Sequence, residues 1–322
     1  MDVASSNGRI GIVGTGLVGS GWAIVFARAG FEVSLFDSAP GAAEHAHGLI
    51  GERLQDLREA ALVADPATIH ARIGVVSSLG EALEGAIYVQ ESVFERVDVK
   101  TALMKEIDAV VGAETWIGSS SSGIGASQYT EHIVCRARCL VAHPVNPPYL
   151  APIVELVPTP WTAPDTVKGV RALMERIGQA PVEMSREAEG FILNRLQGVL
   201  LMEAWRLVEE GLATVEDVDK TVSQGLGLRW AFMGPFETID LNAPGGIADY
   251  AKRLGGLYQS IAASTTEHRI WDSTLINKIE AQRREILAAT DLPSRQAWRD
   301  RRLMALARHK RDIDLAPESH IP

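Results

Sequence analysis

The residues best equipped for chemistry lie in Cys139–Val157, where two apolar runs, Cys139–Ala142 and Ile153–Val157, flank a loop rich in proline. His143 closes the first run and Glu155 sits inside the second. Proline drives the residue before it toward extended backbone, so Pro144 holds His143 at a strand tip. An imidazole fixed there costs little further ordering when it takes up a proton, which suits a general base. A carboxylate within an apolar strand needs a partner, and His143 is the candidate. These residues alone leave two readings open. One is a base with its carboxylate; the other is a strand-end histidine and an edge-strand glutamate with no shared role.

A second chemical signature stands near the start of the chain. Arg9–Val13 reads as a short buried strand, followed by Gly14-Thr-Gly-Leu-Val-Gly19, a helical pattern over Ser20–Gly30, and a second strand, Glu32–Asp37, that ends in an acid. Three spaced glycines are a weak signal alone, but strand, glycines, helix, strand and acid in this order specify a dinucleotide site. Gly14 permits the tight turn, Gly16 lets a pyrophosphate approach the backbone, and Gly19 lets helix and strand pack closely. The free amides near Leu17 and Val18 face the phosphates. Asp37 accepts from ribose hydroxyls and repels a 2′-phosphate, which favours NAD over NADP; FAD is the nearest rival.

The elements that must position these residues follow from periodicity. Ser38–Arg72 reads as mainly helical with a break at Asp65-Pro66; Ile73–Ser77 and Ala86–Ser92 read as strands, Glu95–Val111 as a helix, and Thr115–Ser121 as a strand running into the serines Ser119–Ser122. Val167–Ile177 is a helix and Ala180–Met184 a last strand. Strands alternating with helices imply a parallel sheet wound on both faces, with ligands beyond the carboxyl ends of its strands. Beyond Gly190 only helical spacing remains, beginning with Phe191–Gly211, which carries Asn194, and with Thr214–Leu226, capped by Thr214. The expected fold is therefore α/β: a Rossmann-type doubly wound domain over 1–188, then an all-α domain over 189–322.

Composition sets the outer bounds. The 322 residues are 46% hydrophobic and 22% charged, which describes an ordinary globular protein. A net charge of −10 argues against nucleic acid or an anionic membrane as partner. Two cysteines, Cys135 and Cys139, without a companion ligand set, exclude a disulfide scaffold and give no metal site. No targeting segment or membrane-spanning run is visible, so a cytoplasmic location is expected.

Taken together, the glycine motif, Asp37, Glu91-x-x-x-Glu95-x-x-x-x-Lys100, Ser122, His143-Pro-x-Asn146-Pro, Glu155 and Gly190-Phe-x-x-Asn194-Arg195 resemble the L-3-hydroxyacyl-CoA dehydrogenase superfamily over nearly the whole chain. The resemblance implies that His143 takes the proton of a C3 hydroxyl while hydride leaves C3 for NAD, and that Glu155 orients the imidazole. It implies that Ser122 and Asn194 bond the reacting oxygen. It also implies that Glu95 and Lys100 lie near the nicotinamide ribose, that Asn146 touches cofactor or substrate, and that the helical domain forms a homodimer.

The residues also speak to the substrate. Acyl-CoA members of the superfamily resemble one another in a lysine-rich helical insert that receives the CoA phosphates. Here Ser38–Arg72 has no lysine, and its three arginines face five acids. Arg229 stands before Met233-Gly-Pro235, where a guanidinium would pair bidentately with a carboxylate. The reading favoured is NAD-dependent oxidation of a free 3-hydroxy acid of the L-gulonate type, with Arg229 on its C1 carboxylate. The alternatives are an L-3-hydroxyacyl-CoA dehydrogenase and, behind it, a non-catalytic structural protein on the same fold.

Overall fold

The computed structural model describes residues 8–264 and 270–314. Eight strands form one sheet: β1 (Arg9–Val13), β2 (Glu32–Phe36), β3 (Ile73–Val75), β4 (Ala86–Glu91), β5 (Trp116–Ser119), β6 (Cys139–Pro144), β7 (Ile153–Pro158) and β8 (Ala180–Glu183). The helices between them are α1 (Leu17–Arg28), α2 (Ala42–Glu59), α3 (Pro66–His70), α4 (Leu79–Leu83), α5 (Val97–Val110), α6 (Ser127–Thr130) and α7 (Pro164–Arg176). All eight strands expected from sequence are present. The short helices α4 and α6 are additional to that expectation.

The sheet runs in the order β3-β2-β1-β4-β5-β6-β7-β8. Every neighbouring pair is parallel except β6 and β7, which are antiparallel. The exception follows from the connection. Parallel neighbours need a crossover of a dozen or more residues, whereas the short loop after Pro144 can only reverse the chain.

Alternation along the strands sorts side chains onto two cores. Ile12, Tyr88, Leu140, Ala142, Val154 and Leu156 face the core that holds α1 and α7. Val13, Val89, Cys139, Val141 and Val157 face the core that holds α5 and α6. With period two, His143 follows Val141 and Glu155 precedes Val157, so both belong to the second face.

The remaining helices are α8 (Leu193–Glu209), α9 (Val215–Thr221), α10 (Gly227–Trp230), α11 (Pro235–Leu241), α12 (Gly246–Ser264), α13 (Ser273–Ile286) and α14 (Leu292–Asp314). α9 starts as expected, with the Thr214 hydroxyl accepting from the Asp217 amide at 3.1 Å. The expected helix to Leu226 instead passes into a π-helical turn, Val222–Leu226, before α10. The structure divides into two compact units. One runs to Leu196 and resumes at Gln296; the other is Gln197–Arg295. Within the second, Trp205 and Trp271 stack at 4.1 Å and Lys278 Nζ donates to the Val208 carbonyl at 2.6 Å. Within the first, α14 lies against the sheet core through Met304, and Arg311 donates to the Ala61 carbonyl at 2.6 Å. No described helix is long and apolar enough to cross a membrane.

Candidate active site

His143 and Glu155 are directly opposite each other on β6 and β7. His143 Nδ1 lies 2.6 Å from Glu155 Oε2, and both side chains are buried. Antiparallel partners on one face have adjacent Cβ atoms, so the hairpin itself joins the pair. Burial alone would raise the Glu155 pKa. The bonds from His143 and from two backbone amides outweigh it and hold the carboxyl below its ordinary value. An ionised carboxylate only accepts, so Nδ1 carries the hydrogen and Nε2 keeps its lone pair for a substrate proton.

The two amides come from the start of α8. Glu155 Oε1 accepts from Ile192 N at 2.7 Å and from Leu193 N at 2.9 Å. Gly190 at φ +74 and Phe191 at φ +50 turn the chain so that these amides face inward. Phe191 is a bulky residue in a left-handed conformation, which costs of order 1–3 kcal/mol and persists only where the surroundings fix it. Its fully buried ring packs 5.9 Å from the His143 ring, centre to centre. The carboxylate thus serves two purposes: it orients the imidazole and caps a helix N-terminus.

The next turn of α8 reaches the serine loop. Asn194 Nδ2 donates to the Ser122 carbonyl at 2.6 Å. The Ser122 hydroxyl is exposed, with no partner among the described residues. Glu95 Oε1 gathers the Ser121 hydroxyl at 2.7 Å and the amides of Ser122 and Gly123 at 2.8 and 3.0 Å. Burial would raise the Glu95 pKa, but these bonds and the Lys100 charge bring it below its ordinary value.

Lys100, expected near the nicotinamide ribose, is tied to a carboxylate beneath the serine loop. Its side chain is 1% exposed, and Nζ donates to both oxygens of Glu91 at 2.8 and 2.9 Å. The ammonium faces an internal carboxylate because Lys100 projects from the buried side of α5. Glu91, absent from the sequence expectation as a site residue, is fully buried at the carboxyl end of β4.

The glycine loop has the geometry of a phosphate cradle. A Cβ on Gly14, at φ +89, would meet the Ser92 carbonyl at 2.7 Å, and one on Gly19 would stand 1.9 Å from the Gly14 carbonyl oxygen. A Cβ on Gly16 would meet nothing within 4 Å, so space remains there for a ligand. α1 begins at Leu17 with no side-chain cap, and Leu17 is exposed. Asp37 accepts from Thr15 N at 2.8 Å, from Thr15 Oγ1 at 3.0 Å and from Ala39 N at 3.0 Å. A carboxylate offers about four acceptor positions, so capacity is left for a ribose hydroxyl. Gly14, Gly16, Leu17, Val18, Gly19 and Asp37 therefore fit a dinucleotide.

The loop after His143 is anchored against the same helix: a Cβ on Gly21 would lie 2.6 Å from Pro148 Cδ. Asn146 is exposed on that loop. Arg229 is exposed on α10, in the helical unit, and its side chain makes no ion pair or hydrogen bond among the described residues. No group of three metal-ligating side chains occurs among the described residues.

Comparison with known proteins covers most of the chain. Residues 9–188 match the NAD binding domain of 3-hydroxyacyl-CoA dehydrogenase, and residues 190–283 match its C-terminal domain. Lambda-crystallin of Oryctolagus cuniculus is 39% identical over 311 residues, covering 95% of this chain and 97% of that protein. L-carnitine dehydrogenase of Nocardiopsis dassonvillei is 36% identical over 309 residues, covering 95% of this chain and 93% of that one. The crystal structure of 5-formyl-3-hydroxy-2-methylpyridine 4-carboxylic acid 5-dehydrogenase, an NAD+ dependent dismutase, superposes with a TM-score of 0.80 at 30% identity, covering 93% and 97% of the two chains.

Proposed function

The chain belongs to the 3-hydroxyacyl-CoA dehydrogenase family and is an NAD-dependent oxidoreductase; from that premise we propose that it oxidises the C3 hydroxyl of a free 3-hydroxy acid resembling L-gulonate, with His143 and Glu155 as general base and orienting carboxylate. The observation that carries the chemistry is the buried contact of 2.6 Å between them.

Bound NAD+ supplies the acceptor for the hydride that leaves C3. His143 Nε2 takes the hydroxyl proton, and Glu155 stabilises the imidazolium that results. The reverse transfer returns that proton to the carbonyl oxygen. The Ser122 hydroxyl and the second Nδ2 hydrogen of Asn194 are free to bond the reacting oxygen, and the bond from Asn194 Nδ2 to the Ser122 backbone carbonyl keeps the two residues together. Asn146 and the exposed edge of Glu95 are assigned to the cofactor side of this site.

Three features support a free acid over a CoA thioester. α2 carries acids and no lysine, unlike the insert of acyl-CoA members. α14 lies against α2, where Arg53, Asp56 and Glu59 face Asp300, Arg301 and Arg308 across a cavity of about 660 Å³. Relatives along nearly the full length include an L-carnitine dehydrogenase, and carnitine is itself a free 3-hydroxy acid. Arg229 is the residue assigned to the substrate carboxylate. Exposed apolar residues of the helical unit, among them Leu228, Phe236, Leu257 and Ile270, support a homodimer through that domain. Free buried Cys135 and Cys139 suit a reducing, cytoplasmic setting.

The test is a substrate panel of L-gulonate, 3-hydroxybutyrate and L-carnitine with NAD+. Turnover of at least one is expected, and Arg229→Met should raise its KM about tenfold with kcat little changed. Inactivity across the panel would contradict the free-acid reading, with a hydroxyacyl-CoA then separating the acyl-CoA alternative from a structural protein, and an unchanged KM would remove Arg229 from the site.

A further inference from the structure

A buried hydrogen-bond network runs from α1 across the carboxyl ends of β4, β5 and β6, and the proton transfer at His143 uses none of it. Tyr88 and Gln90 alternate on β4 onto the face that packs against α1, and both are fully buried. A Cβ on Gly118 would collide with the Tyr88 hydroxyl, so this glycine makes room for it. Burial pushes the Tyr88 phenol up from its ordinary value, so it stays protonated. It donates to Gln90 Oε1 at 2.6 Å. The other end of that amide is thereby turned outward, and Gln90 Nε2 donates to the Ala142 carbonyl at 3.3 Å and to Ser120 Oγ at 2.8 Å. Trp22 Nε1, from α1, donates to the same Ser120 Oγ at 3.2 Å. Ser92 Oγ lies 2.8 Å from Ser120 Oγ.

The direction of the last bond follows by counting hydrogens. An amide nitrogen and an indole N–H only donate, whereas a hydroxyl accepts two bonds and donates one. Trp22 and Gln90 take both lone pairs of Ser120, so the Ser120 hydrogen goes to Ser92. Ser92 accepts there and keeps its own hydrogen, and its hydroxyl makes no other bond among the described residues. A half-buried donor left in this way calls for a partner.

The position of Ser92 indicates that partner. Its amide donates to the Val13 carbonyl at 2.7 Å, and a Cβ on Gly14 would lie 2.7 Å from the Ser92 carbonyl oxygen. Ser92 therefore stands beside the glycine loop, in the crevice between β1 and β4. Successive strands run outward from β1 on one side and from β4 on the other, and doubly wound sheets bind ligands at such a switch point. Along the sheet the order is Asp37 after β2, the glycines after β1, Ser92 after β4 and His143 on β6. A dinucleotide with its adenosine ribose at Asp37 and its pyrophosphate at the glycines carries its nicotinamide half past Ser92 toward His143.

We propose that Ser92 is a cofactor-binding residue: its hydroxyl hydrogen, left free by the network of Tyr88, Gln90, Trp22 and Ser120, bonds an oxygen of the nicotinamide half of bound NAD. Ser120 is the positioning residue that turns Ser92 into a donor. The assignment depends on the dinucleotide cradle alone, and neither the role of His143 nor the identity of the acid enters it.

The test titrates the native protein, Ser92→Ala, Ser120→Ala and the double variant with NADH by fluorescence and with ADP by calorimetry, and records Tm for each. ADP carries the adenosine ribose and the two phosphates without the nicotinamide half. Ser92→Ala should raise the NADH Kd about three- to tenfold and leave the ADP Kd within about twofold of native. The double variant should bind NADH within about twofold of Ser92→Ala, because Ser120 acts on the cofactor through Ser92. An unchanged NADH Kd in folded Ser92→Ala would overturn the proposal. Equal losses for NADH and ADP would place the defect at the glycine loop and overturn it as well. Additive losses in the double variant would separate Ser120 from Ser92 and contradict the network. If Ser92→Ala does not fold, Ser92→Cys, close in size and only a weak donor, is judged by the same outcomes.

Discussion

At the residue scale the account turns on one hydrogen bond and the charge state it fixes. His143→Ala should reduce kcat by about two to four orders of magnitude and leave NADH affinity nearly unchanged; near-normal turnover would remove the base. Glu155 has its carboxyl held below the ordinary value by His143 and two amides, against the effect of burial. A group whose pKa is lowered by folding contributes stability above its unfolded value and loses it as pH falls through the folded one. Glu155→Gln should therefore lower Tm by roughly 5 °C or more at neutral pH, and the gap to the native protein should narrow in acid. A constant gap from neutral pH down to strongly acid pH would show that the carboxylate charge carries no such stability. Asp37→Ser removes the charge opposed to a 2′-phosphate, and the preference for NAD over NADP should fall by about tenfold or more. An unchanged preference would assign Asp37 only to holding Thr15.

At the element scale, strand alternation and turn geometry deliver the site. Much of this was readable in the sequence: strand, three glycines, helix, strand and acid form a local pattern, and so do the apolar runs that became β6 and β7. Even the pairing of His143 with Glu155 was foreshadowed, because a short loop between two apolar runs makes a hairpin. The Glu91–Lys100 pair was not readable. It depends on which side of α5 faces inward, and that is fixed only when the sheet assembles. The left-handed Phe191 was likewise invisible, since its conformation is imposed by the amides that Glu155 captures. Gly19→Ala tests the packing of α1 on β1. Its Cβ would stand 1.9 Å from the Gly14 carbonyl oxygen, and overpacking of this kind costs about 1–3 kcal/mol. A loss of several degrees in Tm with weaker NADH binding is expected; native values in both would refute the close approach.

At the scale of the whole molecule, family membership and substrate are separate matters. The match to both family domains covers residues 9–188 and 190–283, and it identifies the reaction class without naming the acid. The choice between a free acid and a CoA thioester rests on features spread along the chain: the charge of α2, the return of α14 onto it, and Arg229. These features lie outside the proton-transfer machinery, which a hydroxyacyl-CoA and a hydroxy acid would use alike. The helical unit, with its exposed Leu228, Phe236 and Ile270, is the surface assigned to a second copy, and sedimentation of the purified protein as a dimer is the expected result. The most direct test of the central claim compares two substrates that differ only in the CoA group: kcat/KM for 3-hydroxybutyrate against 3-hydroxybutyryl-CoA, each with NAD+. A ratio in favour of the free acid is predicted, and efficient turnover of the thioester with none of the acid would contradict the account.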